Sequence, residues 1–346
     1  MTISDTDASE QRSAAPPERR PSGLRSASNR ILRVRELSVL VVDILLIVYF
    51  GLANPEFFST ANFQNIANFF SAVALIAVGE TFLLICGEID LSAGMTFALI
   101  PVIMVTLNGE EGEGLPLWLC LIISLTIAAL IGVFNGLVTQ YLKLPSFITT
   151  LGTLYVLHGI SLTIAGSTPL PAPQDGVIPA IFGGWIWSEL LWTIAIVLIM
   201  QVVLTQTRWG AHTIATGANY LGAAEAGIKV RQIKTRAFVI TAVFAGLAGI
   251  LDGTNIAKSF DPSAGGNNLM FSAIAASVIG GTALLGGSGT VLGAALGALL
   301  LAVLQDGFNI EGISATTFVI VEGIAILLAM TLNTWLARFR TRAKEE

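Results

Sequence analysis

Long apolar runs separated by short polar stretches make up the chain from residue 37 to residue 335. A helix needs about 20 mostly apolar residues to cross the hydrocarbon core of a membrane, and about ten runs meet this requirement. We place the spans at 37–53, 66–86, 90–108, 117–141, 145–166, 185–206, 236–256, 269–286, 289–308 and 313–335. The pattern predicts an all-α integral membrane protein with about ten transmembrane helices.

Composition agrees with this pattern. Hydrophobic residues make up 54% of the chain and charged residues only 12%, whereas soluble domains average about 25% charged residues. The 44 residues from Pro262 to Gln305 carry no charge at all. Such a length is too great for one span and suits two spans joined by a tight turn, which we place at GGSG, residues 286–289.

Basic residues predict the orientation of the chain. With ten spans, seventeen of the eighteen Lys and Arg residues fall on one face, and Lys258 alone falls on the other. The opposite face holds acidic loops such as NGEEGEG at 108–114. Because cytoplasmic loops are enriched in Lys and Arg, we expect both termini to be cytoplasmic.

Three regions follow from these patterns. Residues 1–35, rich in Ser, Pro, Ala and charge, are typical of a disordered cytoplasmic tail; a secretory signal cleaved near residues 51–53 is the alternative interpretation. Residues 36–336 form the transmembrane domain, with a long cytoplasmic loop at 208–236. Residues 337–346 form a basic cytoplasmic tail.

No pattern in the sequence indicates catalysis. The chain has no GxxxxGK[ST] nucleotide-binding loop, no cluster with metal-ligand spacing and no paired nucleophile and base. Cys86 and Cys120 lie in apolar runs, which favours two buried thiols over a disulfide. We therefore expect no catalytic residues, no metal and no cofactor in this chain. The 35 glycines favour closely packed helices and hence transport over sensing or scaffolding.

The loop at 208–236 contains a predicted helix that suits either a partner protein or lipid. Its centre is rich in alanine, with Asn219 as a helix N-cap and Gly227 as the stop after the helix. This pattern predicts a short helix outside the bilayer. From the residues alone, docking of a partner protein and contact with anionic lipid are equally good interpretations.

Four stretches, in the same order, resemble the permease family of bacterial monosaccharide ABC importers, which includes the ribose, xylose and arabinose permeases. They are GEIDLSAG (87–94), LPSFITTLGTLYVLHGI (144–160), GANYLGAAEAGIKVRQIK (217–234) and AASVIGGTALLGGSGTVLGAALGA (275–298). The resemblance covers residues 37 to 335. Glu88 departs from the family, which usually has glycine at this position of the first motif.

The resemblance implies a fold like that of type II ABC importers and a location in the bacterial cytoplasmic (inner) membrane. It implies a second permease copy, a cytoplasmic ATPase that binds ATP and Mg, and a periplasmic or extracellular binding protein that delivers the sugar. It also implies that residues 219–227 form the helix that couples to the ATPase, with contacts from Asn219, Leu221, Gly222, Ala223, Ala224, Glu225 and Gly227. No nucleic acid is expected among the partners, and lipid surrounds the chain.

The turns at 87–92 and 286–289 are candidates for a gate or for the substrate path. The residues concerned are Glu80, Glu88, Asp90, Ser92, Gly286, Gly287, Ser288 and Gly289. Asp90 is expected near the cytoplasmic end of the third span, within reach of water, as its N-cap, with Ser92 sharing that role. A gate or sugar-path role and an ion-coupling role are the alternatives for Asp90. A weak internal similarity between residues 79–94 and 280–293 supports treating the two turns as related elements.

The function predicted is that of a permease subunit which moves a monosaccharide or sugar-like polyol into the cytoplasm by alternating access, driven by the separate ATPase. The sugar is expected to be held weakly by scattered hydroxyl and amide groups. Asp252 and Asp306 are expected at the outer ends of their spans, near solvent, Lys258 or the binding protein. The alternative is an ion-coupled secondary transporter that uses Glu80, Asp90 and Glu322.

Overall fold

A computed structural model describes residues 35–109 and 114–314 and, beyond them, 316–317, 319–324, 327–328 and 331. The described part is mostly helical. Its α-helices are α1 Arg35–Ala53, α2 Thr60–Ile85, α3 Ala93–Asn108, α4 Leu117–Tyr141, α5 Ser146–Ala165, α6 Val177–Gly183, α7 Ser188–Gln206, α8 Arg208–Ala218, α9 Tyr220–Glu225, α10 Val230–Asp252, α11 Gly266–Ile279 and α12 Val291–Ile310. Two short strands, β1 Leu170–Pro171 and β2 Ser259–Phe260, pair antiparallel.

Seven of the described helices are long and apolar enough to cross a membrane: α1, α2, α4, α5, α7, α10 and α12. The predicted third and eighth spans are shorter helices, α3 with 16 residues and α11 with 14 residues. The predicted tenth span, 313–335, is described only in part, and the residues described between 316 and 331 are helical. The helical membrane fold is confirmed, whereas the count of ten spans and the cytoplasmic termini stay predictions. Of the two predicted tails, residues 1–34 and 337–346 lie outside the described residues, and Arg35 is the first residue of α1.

Helix α2 begins six residues before the predicted start of the second span. Ser59 is its N-cap, and the side chain of Ser59 accepts a hydrogen bond from the backbone N–H of Asn62. Polar residues in the first turns, including Asn62 and Asn65, resemble a loop in the sequence, but they belong to the helix. Helix α10 likewise begins at Val230, six residues before the predicted span.

The two short helices lie next to non-helical segments. Before α3, residues 87–92 connect it to α2 without forming a helix. Helix α11 ends at Ile279, seven residues before the predicted end of the eighth span. Gly281 follows with φ +95, a backbone conformation that ends the helix because it is outside the helical region. Non-helical backbone inside a membrane would need protein around it, since lipid offers no hydrogen-bond partners.

Helix α2 is the centre of the bundle. It packs against α7, α10, α11 and α12, and residues 71–86 are all buried. Small residues allow these helices to approach closely. At Gly79, for example, a Cβ atom would overlap the backbone of Thr241 in α10. The end of α2 at Ile85 is therefore held from several sides.

The predicted short helix in the loop at 208–236 is present as α9. The structure adds α8 before it, an 11-residue helix that the sequence analysis did not predict. Thr207 is the N-cap of α8, and its side chain accepts from the backbone N–H of Gly210. The stacked rings of Phe82 and Trp209, 4.7 Å apart between centroids, fix the start of α8 against α2.

Candidate functional site

Helix α9 has well-defined ends. The Asn219 side-chain oxygen accepts from the backbone N–H of Gly222 at 2.9 Å, as predicted for an N-cap. At the other end, Gly227 has φ +82. The N–H of Gly227 donates to the carbonyl of Ala224, and that of Ile228 donates to the carbonyl of Ala223, the two bonds of a Schellman motif. Six residues thus form a stable helix in a loop.

One side of α9 is anchored and the other is open. Ala223 is buried against the rest of the chain, whereas Leu221 is 70% exposed and Tyr220 is 47% exposed. Ala224 and Glu225 are also exposed. An exposed Leu next to an exposed Tyr on a short capped helix forms a small apolar surface that a partner can cover.

The residues just before α9 meet the end of α2. Gly217 lies so close to Ile85 that a Cβ at Gly217 would overlap the carbonyl oxygen of Ile85. That same carbonyl accepts a hydrogen bond from the backbone N–H of Gly287 at 2.8 Å. A Cβ at Gly287 would in turn lie 2.8 Å from the Cα of Ala218. We call this meeting point of Ile85, Gly217, Ala218, Gly286 and Gly287 the junction.

The junction brings together two turns that are about 200 residues apart in sequence. Gly286 has φ +89, and a Cβ there would lie 3.2 Å from the backbone N of Gly87. The glycine turn is closed by a bond from the N–H of Ala283 to the carbonyl of Ser288. At Gly289 a Cβ would press on the side chains of Thr282 and Ile85. The two predicted gate turns are therefore neighbours, and the glycine turn and the end of α2 at Ile85 both contact the segment that leads into α9.

Glu88 is tied to the start of α10. Its Oε1 atom accepts from Lys234 Nζ at 2.7 Å and from Gln140 Nε2 at 3.1 Å. Both charged side chains are largely buried, with exposed fractions of 13% for Lys234 and 11% for Glu88. The Lys234 ammonium also lies 5.7 Å from the ring centroid of Tyr220, the first residue of α9. Glu88, the residue that departs from the family pattern, thus has a charged partner in α10.

Asp90 is the centre of a buried polar network between α2 and α3. Its Oδ1 atom accepts from the Ser92 backbone N–H at 2.8 Å and from Ser92 Oγ at 2.5 Å. Asn135 Nδ2 donates to Ser92 Oγ at 2.8 Å and lies 3.4 Å from both Asp90 oxygens. Asn135 Oδ1 accepts from Thr153 Oγ1 at 2.7 Å. The network joins the break before α3 to α4 and α5.

Two expectations about Asp90 are wrong. The N-cap of α3 is Ser92, whose side chain makes no capping bond, and Asp90 instead closes a local turn onto Ser92. Asp90 is also fully buried rather than within reach of water. The physical reason is that the chain re-enters the bundle after Gly87. The backbone N–H of Asp90 accordingly lies 3.5 Å from Oε2 of Glu80. Glu80 is on α2, about one and a half turns before that helix ends at Ile85.

The three carboxylates of the ion-coupling alternative do not form one group among the described residues. Glu80 faces the Asp90 backbone, and its Oε1 atom has no hydrogen-bond partner. Glu322 instead accepts a hydrogen bond from Ser272 in α11. No cluster of three His, Cys, Asp or Glu residues with metal-binding geometry occurs in the described part of the chain.

A cavity of about 940 Å³ lies at the end of the bundle opposite the junction. None of the predicted gate residues lines it. Its polar lining comes from side chains in α2, α10, α11, α12 and nearby segments: Asn65, Asn68, Asp252, Ser263, Asn268, Ser272, Gln305, Asp306, Asn309 and Glu322. Lys258 donates to the carbonyl of Thr254 rather than to Asp252 or Asp306. The five amides were not among the predicted site residues, because their only signal in the sequence is that polar residues recur in otherwise apolar helices.

Comparison with known proteins identifies the family. Residues 62–330 match the family described as "Branched-chain amino acid transport system / permease component". The chain is 33% identical over 326 residues to the xylose/arabinose import permease protein of Sulfolobus acidocaldarius, covering 91% of this chain and 89% of that protein. It is 32% identical over 299 residues to the ribose import permease protein of Haemophilus influenzae, covering 85% and 91% of the two chains.

The chain belongs to the ABC importer permease family. A third relative, the autoinducer 2 import system permease protein of Salmonella typhi, is 33% identical over 298 residues, covering 85% of this chain and 84% of the relative. The predicted resemblance to this family is therefore confirmed, as is the assignment to a multi-pass protein of the bacterial inner membrane. No solved structure matches the permease.

Proposed function

We propose that this permease is the transmembrane subunit of an importer for a monosaccharide or sugar-like polyol, driven by a separate cytoplasmic ATPase. The ATPase binds ATP and Mg, a binding protein delivers the sugar on the outer side, and a second copy of the permease completes the pathway. Transport follows alternating access, in which the cargo site opens first to one side of the membrane and then to the other.

The junction carries this proposal. Helix α9 offers an exposed apolar surface, and its leading residues Gly217 and Ala218 lie in backbone contact with Ile85 and Gly287. A force applied to α9 by a partner is transmitted directly to the end of α2 and to the glycine turn, because tightly packed backbone yields little. A loop that only rested on lipid would need no such contact.

The ionic contact at Glu88 gives α9 a second connection to the same turns. Lys234 lies close to both Glu88 and the Tyr220 ring, so it links the turn after α2 to the first residue of α9. Asp90, Ser92 and Asn135 hold the following break in place through buried hydrogen bonds. In this proposal the turns at 87–92 and 286–289 form the inner gate, and the polar network positions it without contacting the cargo.

The burial pattern supports a closed inner side in this conformation. The cavity is lined on α2 by residues 65–72, and residues 73–86 that follow are fully enclosed. From Asn68 to Ile85 the helix rises about 26 Å at 1.5 Å per residue. A cargo molecule in the cavity is therefore separated from the junction by most of the packed core. Opening the gate turns would have to loosen this section, which is the step assigned to ATP.

The cargoes named for the relatives support a sugar. The xylose/arabinose, ribose and autoinducer 2 import permeases each align with more than four fifths of this chain. The family description itself mentions branched-chain amino acids, so the cargo has to be tested and not only inherited from a name.

Docking of the ATPase tests the proposal. We would purify the permease together with its candidate ABC ATPase, and compare the natural chain with Leu221→Asp and Leu221→Met. The charged variant should release the ATPase, because it places a carboxylate in the apolar contact, while the Met variant should retain it. Leu142→Asp, at another exposed leucine outside α9, is the matched control. Retention of the ATPase by Leu221→Asp would contradict the role of α9.

A further inference from the structure

The cavity opposite the junction has a lining that selects for one chemical class of cargo. We propose that this cavity is the cargo site of the permease, that it accepts an uncharged polyhydroxylated molecule, and that its carboxylates keep anionic molecules out. The inference rests on the proposed function, since it assigns the place and the class of the imported molecule.

The cavity has a polar mouth and an apolar floor. Asn65, Ser263, Asn268 and Asn309 line it and are exposed. At the inner end it is lined by Ala72, Phe97 and Ala302, which are all buried. A volume of about 940 Å³ lies within the range of roughly 300–1,000 Å³ found for small-molecule sites. The shape is that of a site entered from one side.

The polar groups of the lining suit hydroxyl groups. Five side-chain amides offer both donors and acceptors, and three carboxylates offer acceptors. A sugar hydroxyl donates one hydrogen bond and accepts others, so it can use both kinds of group at once. Phe69 and Phe97 add aromatic surface, on whose negative faces the slightly positive C–H groups of a sugar ring can pack.

Asp306 is a buried acidic residue in the wall of the cavity. Its side chain lines the cavity and is only 7% exposed, yet its Oδ2 atom has no hydrogen-bond partner among the described residues. The amide side chains of Asn62 and Asn65 lie within hydrogen-bonding reach of this carboxyl group and offset part of the cost of burying it.

Charge in the cavity has one sign. The three carboxylates Asp252, Asp306 and Glu322 line it, and no Lys, Arg or His occurs among the lining residues that the structure describes. Clefts lined by charge of one sign change the rate of entry of charged molecules by about 10-fold to 1,000-fold. The three carboxylates would repel a sugar acid, a sugar phosphate or the carboxylate of an amino acid, and the lining offers such an anion no cationic partner. An uncharged polyol is not repelled and needs no cationic partner.

Cysteine labelling tests the proposal directly. Asn68→Cys places a thiol in the cavity wall, and Gln174→Cys places one in the exposed loop between α5 and α6. The full permease, with its ATPase and without nucleotide, would be reacted in nanodiscs with neutral methyl methanethiosulfonate and with anionic 2-sulfonatoethyl methanethiosulfonate. The natural Cys86 and Cys120 are buried, and the unsubstituted chain gives the background rate.

We expect the ratio of anionic to neutral labelling rates to be at least about tenfold lower at position 68 than at position 174. Combining Asp306→Asn with Glu322→Gln should remove most of that difference, and Asp306→Glu should keep it. Among D-xylose, L-arabinose, D-ribose and myo-inositol, at least one should slow neutral labelling at position 68 and leave position 174 unchanged. L-Leucine should have no effect at either position.

Equal reagent ratios at the two positions would overturn the exclusion of anions. Absence of protection by every sugar and polyol, or protection by L-leucine, would overturn the assignment of the cargo class. These readouts need no ATP. Failure of the cavity proposal is therefore distinguishable from failure of the importer proposal, which would show as loss of ATP-dependent uptake while the labelling pattern persists.

Discussion

Lys234 Nζ lies 2.7 Å from Glu88 Oε1 and joins the start of α10 to the turn that follows α2. The two residues are 146 positions apart, and each also contacts a further element: Glu88 accepts from Gln140 in α4, and Lys234 lies over the ring of Tyr220 in α9. The pair therefore sits where a movement of α9 reaches the proposed gate.

Breaking this pair should impair transport and stability together. Glu88→Gln removes the charge and leaves a largely buried ammonium without its counter-charge, a change that costs more than the roughly 0.2–1 kcal/mol of an exposed pair and at most the 3–5 kcal/mol of a fully buried one. We expect a lower unfolding temperature of the purified permease and reduced uptake at unchanged ATPase docking.

The matched controls are Lys234→Met and the double variant with Glu88→Gln. If the pair acts as a unit, the effects of the two substitutions on the free energy of unfolding should not add. Strict additivity would contradict the proposed connection.

Asp90→Asn and Asp90→Ala should differ sharply. Asn keeps a side-chain oxygen that can accept from the Ser92 backbone N–H, whereas Ala leaves that donor and Ser92 Oγ without their acceptor. Each buried group left unsatisfied costs about 1–3 kcal/mol. We expect Asn to keep expression and most uptake, and Ala to lower the yield and the unfolding temperature. Near-total loss of uptake in Asp90→Asn at normal membrane levels would instead indicate that Asp90 acts in the transport path.

Gly217→Ala should uncouple docking from transport. The added methyl group would overlap the Ile85 carbonyl oxygen, so α8 and the residues leading into α9 must move away from the end of α2. The exposed face of α9 is not altered, and we expect the ATPase to bind while sugar uptake falls several-fold. Co-purification and uptake measured on the same preparation check both parts.

Gly152→Ala is the matched control for that substitution. Gly152 lies inside α5, and a Cβ there would meet nothing within 4 Å. Alanine in a helix is favoured over glycine by about 0.5–1 kcal/mol, so this variant should be neutral or slightly stabilising. Equal uptake by Gly217→Ala and Gly152→Ala would rule out the junction as the point of transmission.

Removing the cap of α9 should weaken docking without disturbing the spans. Asn219→Ala deletes the side-chain oxygen that accepts from the Gly222 N–H, at a cost of about 0.5–2 kcal/mol. In a helix of six residues this loss favours the frayed state. The ATPase should dissociate several-fold faster from Asn219→Ala than from Asn219→Asp, which keeps the cap. An unchanged dissociation rate in Asn219→Ala would show that the helical form of α9 is not needed for docking.

Much of the fold follows from apolar runs and cap residues. Asn219 and Gly227 mark the ends of α9 in the sequence because capping chemistry is local. Helix α2 begins earlier than predicted because its first turns contain the polar residues Asn62 and Asn65. Such residues resemble a loop in the sequence, which does not show that this end of the helix borders a cavity. Helix α8 was missed because RWGAHTIATGA carries neither a long apolar run nor strong helix formers.

The site was less predictable because its contacts join distant parts of the chain. Asp90 could be recognised as important, but its burial and its bond to Asn135 depend on how α3 re-enters the bundle. No spacing rule connects Glu88 with Lys234, or Gly217 with Ile85 and Gly287. The polar lining of the cavity comes from at least four helices, and amides have no sequence pattern that marks them as cavity residues.

The most direct test of the account is uptake of labelled sugars into proteoliposomes that contain the permease and its ATPase, with the cognate binding protein outside and ATP inside. We expect uptake of a monosaccharide or polyol that requires ATP, stops when the catalytic glutamate of the ATPase is replaced by Gln, and continues when proton and sodium gradients are collapsed. Uptake that persists without ATP and disappears with the ion gradients would contradict it and would make this chain an ion-coupled transporter.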